Sequence, residues 1–199
     1  MFHSIRYVAA TAALLAVVLP TLHAQNAAPE APSRVELAGA YHYLDVNGSI
    51  SGYPYKNMPA GALVDLDYYL NPHLGLQVEG DITGGGANDC LSSVEAGPIW
   101  RFRRRSRLTT SLHGDAGAAR LGGPLFQQCT WGLGLTTGGS VDYRLPLPKI
   151  NNRISWRIVQ ADYEYVHVDF GALKNLGLIG GTADVNAFRI GTGIVLRLR

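Results

Sequence analysis

From Arg34 onward the chain alternates apolar and polar residues with a period of two, in segments of about ten residues, and no stretch carries a helical period of convincing length. A period of two builds strands with one apolar and one polar face. Eight such segments stand out: Arg34–Val46, Ala60–Leu70, Leu74–Thr83, Ser93–Arg103, Leu108–Ala118, Trp131–Arg144, Arg153–Val166 and Val185–Arg199. The third is the cleanest, setting Leu74, Leu76, Val78 and Ile82 against Gln77, Glu79, Asp81 and Thr83. The seventh changes phase midway: Ile154 and Trp156 are apolar at even numbers, Ala161, Tyr163 and Tyr165 at odd ones. One extra residue within Arg157–Gln160, a β-bulge, reconciles the halves. About ten residues is what a tilted strand needs to cross a bilayer.

The connections alternate in length. Asn71–His73 and Arg104–Arg107 are short and Leu145–Asn152 is intermediate, whereas Asn47–Pro59, Gly84–Ser92, Ala119–Thr130 and His167–Asp184 are longer. Short turns at one end, long loops at the other and an even strand count predict an all-β fold: an eight-stranded, antiparallel, up-and-down transmembrane β-barrel with both termini on the short-turn side. A soluble barrel would show the same alternation but bury the apolar face. Aromatic placement separates the two. With odd strands running outward, Tyr41, Tyr43, Trp131, Tyr163, Tyr165 and Phe188 fall near one level. Tyr68, Trp100, Phe102, Tyr143 and Trp156 fall near the other. Two aromatic belts on the apolar face are expected at two membrane–water interfaces and not in a soluble core.

The polar face then lines a lumen with room only for side chains. Glu79, Glu95, Asp115, Asp142, Asp162 and Glu164, with Asp65, are placed to meet Arg101, Arg157, Arg189 and Arg197, with Arg144. Glycines at 97, 132, 134, 138, 191 and 193 make space for long neighbours. Charges so confined must be paired, which predicts a plugged lumen.

Residues 1–24 read differently. Arg6 supplies a positive start, Val8–Leu22 is apolar, and Leu22-His23-Ala24 offers a small residue before a scissile bond. This is a secretory signal. A membrane anchor, the alternative, needs about 20 apolar residues. Residues 25–33 form a flexible lead-in of Ala, Pro and polar residues, and 34–199 the barrel. Removing the signal leaves 16 basic and 15 acidic residues. That balance gives no electrostatic footprint for nucleic acid. Cys90 and Cys129, the only cysteines, fit no zinc or redox motif; in an exported chain they predict one disulfide joining two loops.

Two stretches at the end, RIVQADYEY (Arg157–Tyr165) and NAFRIGTGIVLRLR (Asn186–Arg199), resemble the close of bacterial outer-membrane β-barrel domain proteins. These are the small eight-stranded, outer-membrane-protein-A-like or porin-like group. VELAGAYHYLDVN (Val35–Asn47) is similar to its opening strand, and GPIWRFRRRSRLT (Gly97–Thr109) to its middle hairpin. The resemblance implies a Gram-negative outer membrane reached by the general secretory pathway. Its lipids and assembly machinery are the implied partners, and neither a cofactor nor enzymatic activity is implied. Such barrels generally end on an aromatic residue; this chain departs from that, ending Leu196-Arg197-Leu198-Arg199.

Chemistry is sparse. Ser111, His113 and Glu95 have the residue types of a nucleophilic triad, but their phase points them into the lumen, where they join the polar network. His42, His73 and His113 are scattered, with no metal-ligand spacing, so no metal site is expected. Arg101, Arg103, Arg104, Arg105 and Arg107 make a basic turn that supplies counter-ions or meets anionic head groups. Gly84–Gly86 is a loop start, since no Lys-Ser/Thr follows as a phosphate loop requires. The expected role is structural or interactive at the cell envelope. A narrow passive pore and a lipid-modifying enzyme are the alternatives.

Overall fold

The structure is a computed structural model and describes residues 33–50, 53–84, 90–103, 107–123, 127–147, 153–171 and 181–198. The expected signal and all of the lead-in except Ser33 lie outside the described residues, as do Gly85, Gly86, Arg104 and Arg105. Eight strands form the wall: β1 (Val35–Ile50), β2 (Met58–Tyr69), β3 (Leu74–Gly84), β4 (Cys90–Arg103), β5 (Leu108–Gly123), β6 (Gln127–Arg144), β7 (Ile154–Asp169) and β8 (Thr182–Leu198). Each pairs antiparallel with the next in sequence. β1 returns to β8 in an unbroken register from Val35↔Leu198 to Gly48↔Val185. The sheet is closed, which satisfies peptide groups that hydrocarbon cannot. A two-residue strand, Tyr53–Pro54, extends β1 by pairing with Ser49 and Ile50.

Local chemistry sets the irregularities. β7 carries its expected bulge at Ile158: Val141 faces Val159 while Asp142 faces Arg157. Pro59 lies where the β1–β2 register shifts between His42 and Leu44, and a proline has no N–H to give a ladder. The β2–β3 turn is held by Asn71, whose Oδ1 accepts from the amides of His73 (2.9 Å) and Leu74 (2.8 Å).

Faces divide as the alternation requires. Leu76, Val78, Ile82, Val94, Leu112, Leu133 and Ile194 point outward and are exposed, whereas Gln77, Glu79, Asp81, Glu95 and Asp115 point inward and are buried. Both aromatic belts are on the outer face. Tyr41, Tyr43, Trp131, Tyr163 and Phe188 are exposed toward the loop end, with Tyr165 half-buried beside them. Tyr68, Trp100, Phe102 and Trp156 are exposed toward the turn end, with Tyr143 half-buried.

The strands are longer than the sequence predicts, and the excess is at the loop end. β1 continues past Val46 to Ile50, β5 past Ala118 to Gly123, and β7 past Val166 to Asp169. β4, β6 and β8 begin earlier than expected, at Cys90, Gln127 and Thr182. Cys90 and Cys129 therefore lie in strands and not in loops. The physical reason is an inversion of phase. Within the apolar band, inward residues are polar and outward ones apolar. Beyond the loop-end belt, Leu44, Val46, Val166, Val168, Ala183 and Val185 face inward, while Asp45, Asn47, His167, Asp169 and Asp184 face outward and are more exposed. A wall with water outside needs the pattern of a soluble barrel, and this end of the chain has it.

The wall predicts a sharp asymmetry. Val78→Arg, outward in the apolar band, is expected to destabilise the refolded protein by about 2–4 kcal/mol in urea titrations in phospholipid vesicles. An unchanged midpoint would place Val78 away from lipid.

Candidate functional site

The inside of the barrel is filled in three zones. At the loop end, Leu44, Val46, Tyr55, Met58, Leu91, Leu121, Val166, Val168 and Val185 pack into one apolar cluster, with Ala119, Ala183 and Ala187, and Phe170 leans on it. Most continue the inward phase of their strands: Leu44 and Val46 follow Glu36 and His42, Val166 and Val168 follow Asp162 and Glu164, and Leu91 precedes Ser93 and Glu95. The polar face of the sequence analysis thus becomes an apolar plug at its outer end. The plug was not legible from one uniform face assignment per strand: Leu44, Val46, Val166 and Val185 fall inside the expected segments and Met58, Leu91, Leu121 and Val168 beyond them. Parity was the available signal.

Beneath the plug is a network centred on Arg189. Its guanidinium is ion-paired with Glu79 and with Asp162, the latter at 2.8 Å, and lies 4.0 Å from Asp81. His42 Nε2 is 2.7 Å from Thr83 Oγ1 and 3.7 Å from Asp81. Ser93 donates to Asp81 from both its amide (2.8 Å) and its hydroxyl (2.5 Å). His113 Nε2 stands 3.3 Å from Asp162 and 3.8 Å from Asp115. Gln160 donates to Asp162 at 3.0 Å. Asp162 reaches His113 over Gly138, where a Cβ would collide with its carboxylate.

A second centre is Arg157, paired with Asp65 and with Asp142 (3.1 Å) and hydrogen-bonded to Gln160 (2.7 Å). At the turn end, Glu36 accepts from Arg101 (2.6 Å) and Arg197 (2.9 Å), and Ser33 donates to it at 2.7 Å. Arg101 lies flat over the Tyr69 ring, 3.4 Å from its centroid. The structure therefore buries all ten residues predicted for the lumen: Glu79, Glu95, Arg101, Asp115, Asp142, Arg157, Asp162, Glu164, Arg189 and Arg197. Of the glycines expected to make room for charged neighbours, Gly97, Gly134 and Gly138 do so beside Asp115, Glu95 and Asp162. Gly132 and Gly193 instead lie against backbone carbonyls and the apolar side chains of Val168 and Ala40.

The other candidates are placed as follows. Ser111 and His113 both face the lumen, but the Ser111 hydroxyl is 2.7 Å from Ser140 Oγ, and His113 turns to Asp162. The structure assembles no Ser–His–Glu relay from Ser111, His113 and Glu95. His73 is in the β2–β3 turn and hydrogen-bonds the Arg101 carbonyl at 3.0 Å. Cys90 and Cys129 form a disulfide with Cα atoms 6.6 Å apart, tying β4 to β6 across the intervening β5 at the loop end. On the outer surface of that end, Tyr165 donates to Asp184 (2.5 Å), and His167 Nδ1 lies 2.7 Å from the same carboxylate.

No known protein family and no curated protein matches the sequence. Solved structures do match the fold. The crystal structure of Neisserial surface protein A aligns over 85% of this chain and 100% of its own, with a TM-score of 0.59 and 15% identity. This is the fold of the small outer-membrane β-barrels. Further likenesses include Ail, the attachment invasion locus protein of Yersinia pestis, at 19% identity over 84% of this chain and 100% of its own, with a TM-score of 0.41. The outer membrane enzyme PagL aligns at 10% identity over 82% of this chain and 99% of its own, also with a TM-score of 0.41. At such identities the likeness concerns the fold alone.

Removing one charge from this barrel's interior should be costly. Arg189→Met leaves Glu79 and Asp162 buried without their cation and is expected to cost about 3–5 kcal/mol in urea unfolding. Adding Glu79→Gln and Asp162→Asn should restore much of that loss. An unaffected Arg189→Met protein would contradict the pairing.

Proposed function

We propose that this protein is a non-conducting barrel of the Gram-negative outer membrane whose role is structural or interactive at the cell surface. In this reading residues 1–24 direct export through the general secretory pathway, and the assembly machinery inserts the mature chain among outer-membrane lipids. The short turns face the periplasm and the loop end faces outward.

The observation that carries the reading is the doubly filled lumen. An open pore keeps a continuous polar path. Here an apolar cluster of Leu44, Val46, Met58, Leu91, Leu121, Val166 and Val185 closes one end, and the Arg189 and Arg157 networks occupy the middle. The apolar cluster interrupts the polar path that hydrated ions would follow. That argument disfavours the passive pore. The strands that rise beyond the loop-end belt support the surface role. They carry a hydrogen-bonded wall, tied at Cys90–Cys129, above the level where lipid ends. The rim of such a wall stands clear of the bilayer, where a surface partner can reach it.

The lipid-modifying alternative gains nothing from the interior. Ser111 and His113 are buried among Ser140 and Asp162, out of reach of acyl chains on the outer face. We therefore read the protein as lacking enzymatic activity.

Planar bilayers reconstituted with refolded protein should show no stepwise conductance in molar KCl. A strain lacking the protein should be more sensitive to detergent and EDTA, with its lipid A acylation unchanged. Discrete conductance steps would overturn the plugged-lumen reading, and an altered acylation pattern would revive the enzyme.

A further inference from the structure

The interior charge is unbalanced. Among the described residues, ten carboxylic acids are buried against four arginines, with two histidines, His42 and His113. Two of the arginines, Arg101 and Arg197, serve Glu36 at the turn end, and Arg157 serves Asp65 and Asp142. Beneath the plug, Arg189 is ion-paired with Glu79 and Asp162 and lies 4.0 Å from Asp81. Burying ionised carboxylates without counter-charge is expensive, so acids in this zone must either hold a proton or bind a further cation.

One place has the geometry to hold a cation. Ligand atoms of Glu79, His113 and Asp115 all lie within 4.8 Å of one another, and all three residues are buried. The side chains come from β3 and β5, on either side of β4. Between them β4 presents Gly97, where a Cβ would strike the Gly114 carbonyl and come within 2.8 Å of Asp115 Oδ1. The missing side chain is what lets the Asp115 carboxylate lie over β4 toward Glu79. Independently, Asp115 is 96% buried (4% exposed), and neither of its carboxylate oxygens has a hydrogen-bond partner among the described residues. A buried carboxylate with two unused oxygens, beside an imidazole nitrogen 3.8 Å away, offers the donors that a cation would take.

We propose that Glu79, His113 and Asp115 bind a divalent first-row transition-metal cation in the barrel lumen. One imidazole and two carboxylates suit zinc or manganese better than calcium, which favours an all-oxygen shell. The ion would neutralise Asp115, which Arg189 does not pair, share Glu79 with Arg189, and link two non-adjacent strands. Its role would be structural, entering as the barrel folds and held afterwards by the plug above it. No histidine has a metal-ligand spacing along the chain, so the sequence alone points to no such site. The three ligands meet only through the register of β3, β4 and β5.

The test uses the full mature protein, refolded into detergent with ZnCl2, and in parallel with MnCl2 or CaCl2, then dialysed without chelator. Elemental analysis should find one Zn2+ per chain and no retained Ca2+. X-ray absorption should show imidazole scattering in the zinc shell. Asp115→Asn and His113→Gln, each checked for folding by heat modifiability on gels, should retain no zinc. The surface variant His167→Gln/Asp184→Asn should retain it, which separates the lumen from the exposed Tyr165–Asp184–His167 cluster. Wild-type protein that refolds without retaining zinc overturns the proposal, as does zinc held without an imidazole ligand. Retention by a folded Asp115→Asn variant, or loss in the surface variant, would do the same. If neither lumen variant folds, the zinc content and absorption spectrum of the wild type decide alone.

Discussion

Hydrocarbon offers a peptide group no hydrogen-bond partner, and the seam between β1 and β8 is where this chain meets that constraint. From Val35↔Leu198 to Gly48↔Val185 the first and last strands pair without interruption, so the sheet has no edge. Everything else follows from having a closed wall one strand thick. Each successive side chain must face either lipid or lumen, and a one-residue slip would exchange the two environments. The bulge at Ile158 shows how tightly this is held: if the same residues alternated with no bulge, Asp162 and Glu164 would face lipid while Tyr163 and Tyr165 entered the lumen.

The closed wall also explains the interior. A small barrel has no room for bulk water, so inward residues must satisfy one another. In the middle many do so through arginine-centred networks, with Asp162 brought close to its partners by the bare backbone of Gly138, while Asp115 has no hydrogen-bond partner among the described residues. At the loop end the outside of the wall is no longer lipid, and the constraint reverses. Outward positions become polar, and inward positions such as Leu121 and Val185 form an ordinary apolar core. One molecule thus contains a membrane barrel and, stacked on it, a short soluble barrel.

This stacking accounts for what the sequence disclosed and what it hid. The faces of β3, the bulge in β7, both aromatic belts and the buried charges were legible, because each follows from period-two alternation within a single strand. The ends of β1, β5 and β7 were not. At Leu44, Val166 and their neighbours the alternation persists with inverted sign, and an inverted pattern resembles the end of a strand until the position of the lipid boundary is known. The grouping of Glu79, His113 and Asp115 was hidden for a different reason. It depends on the register between strands, and only closure of the barrel sets that. The Ser111–His113 pair shows the converse: proximity along one strand placed both residues on the same face, while Ser111 hydrogen-bonds Ser140 on the next strand and His113 lies 3.3 Å from Asp162, two strands away.

The central claim is that the apolar residues of the middle band touch lipid while an equally apolar set at the loop end does not. Methyl-labelled protein in phospholipid nanodiscs tests it without altering any residue. Nuclear Overhauser contacts with lipid acyl chains should appear at Val78, Leu133 and Ile194 and be absent at Leu44, Val166 and Val185. Acyl-chain contacts at the second group, or their absence from the first, would contradict the account.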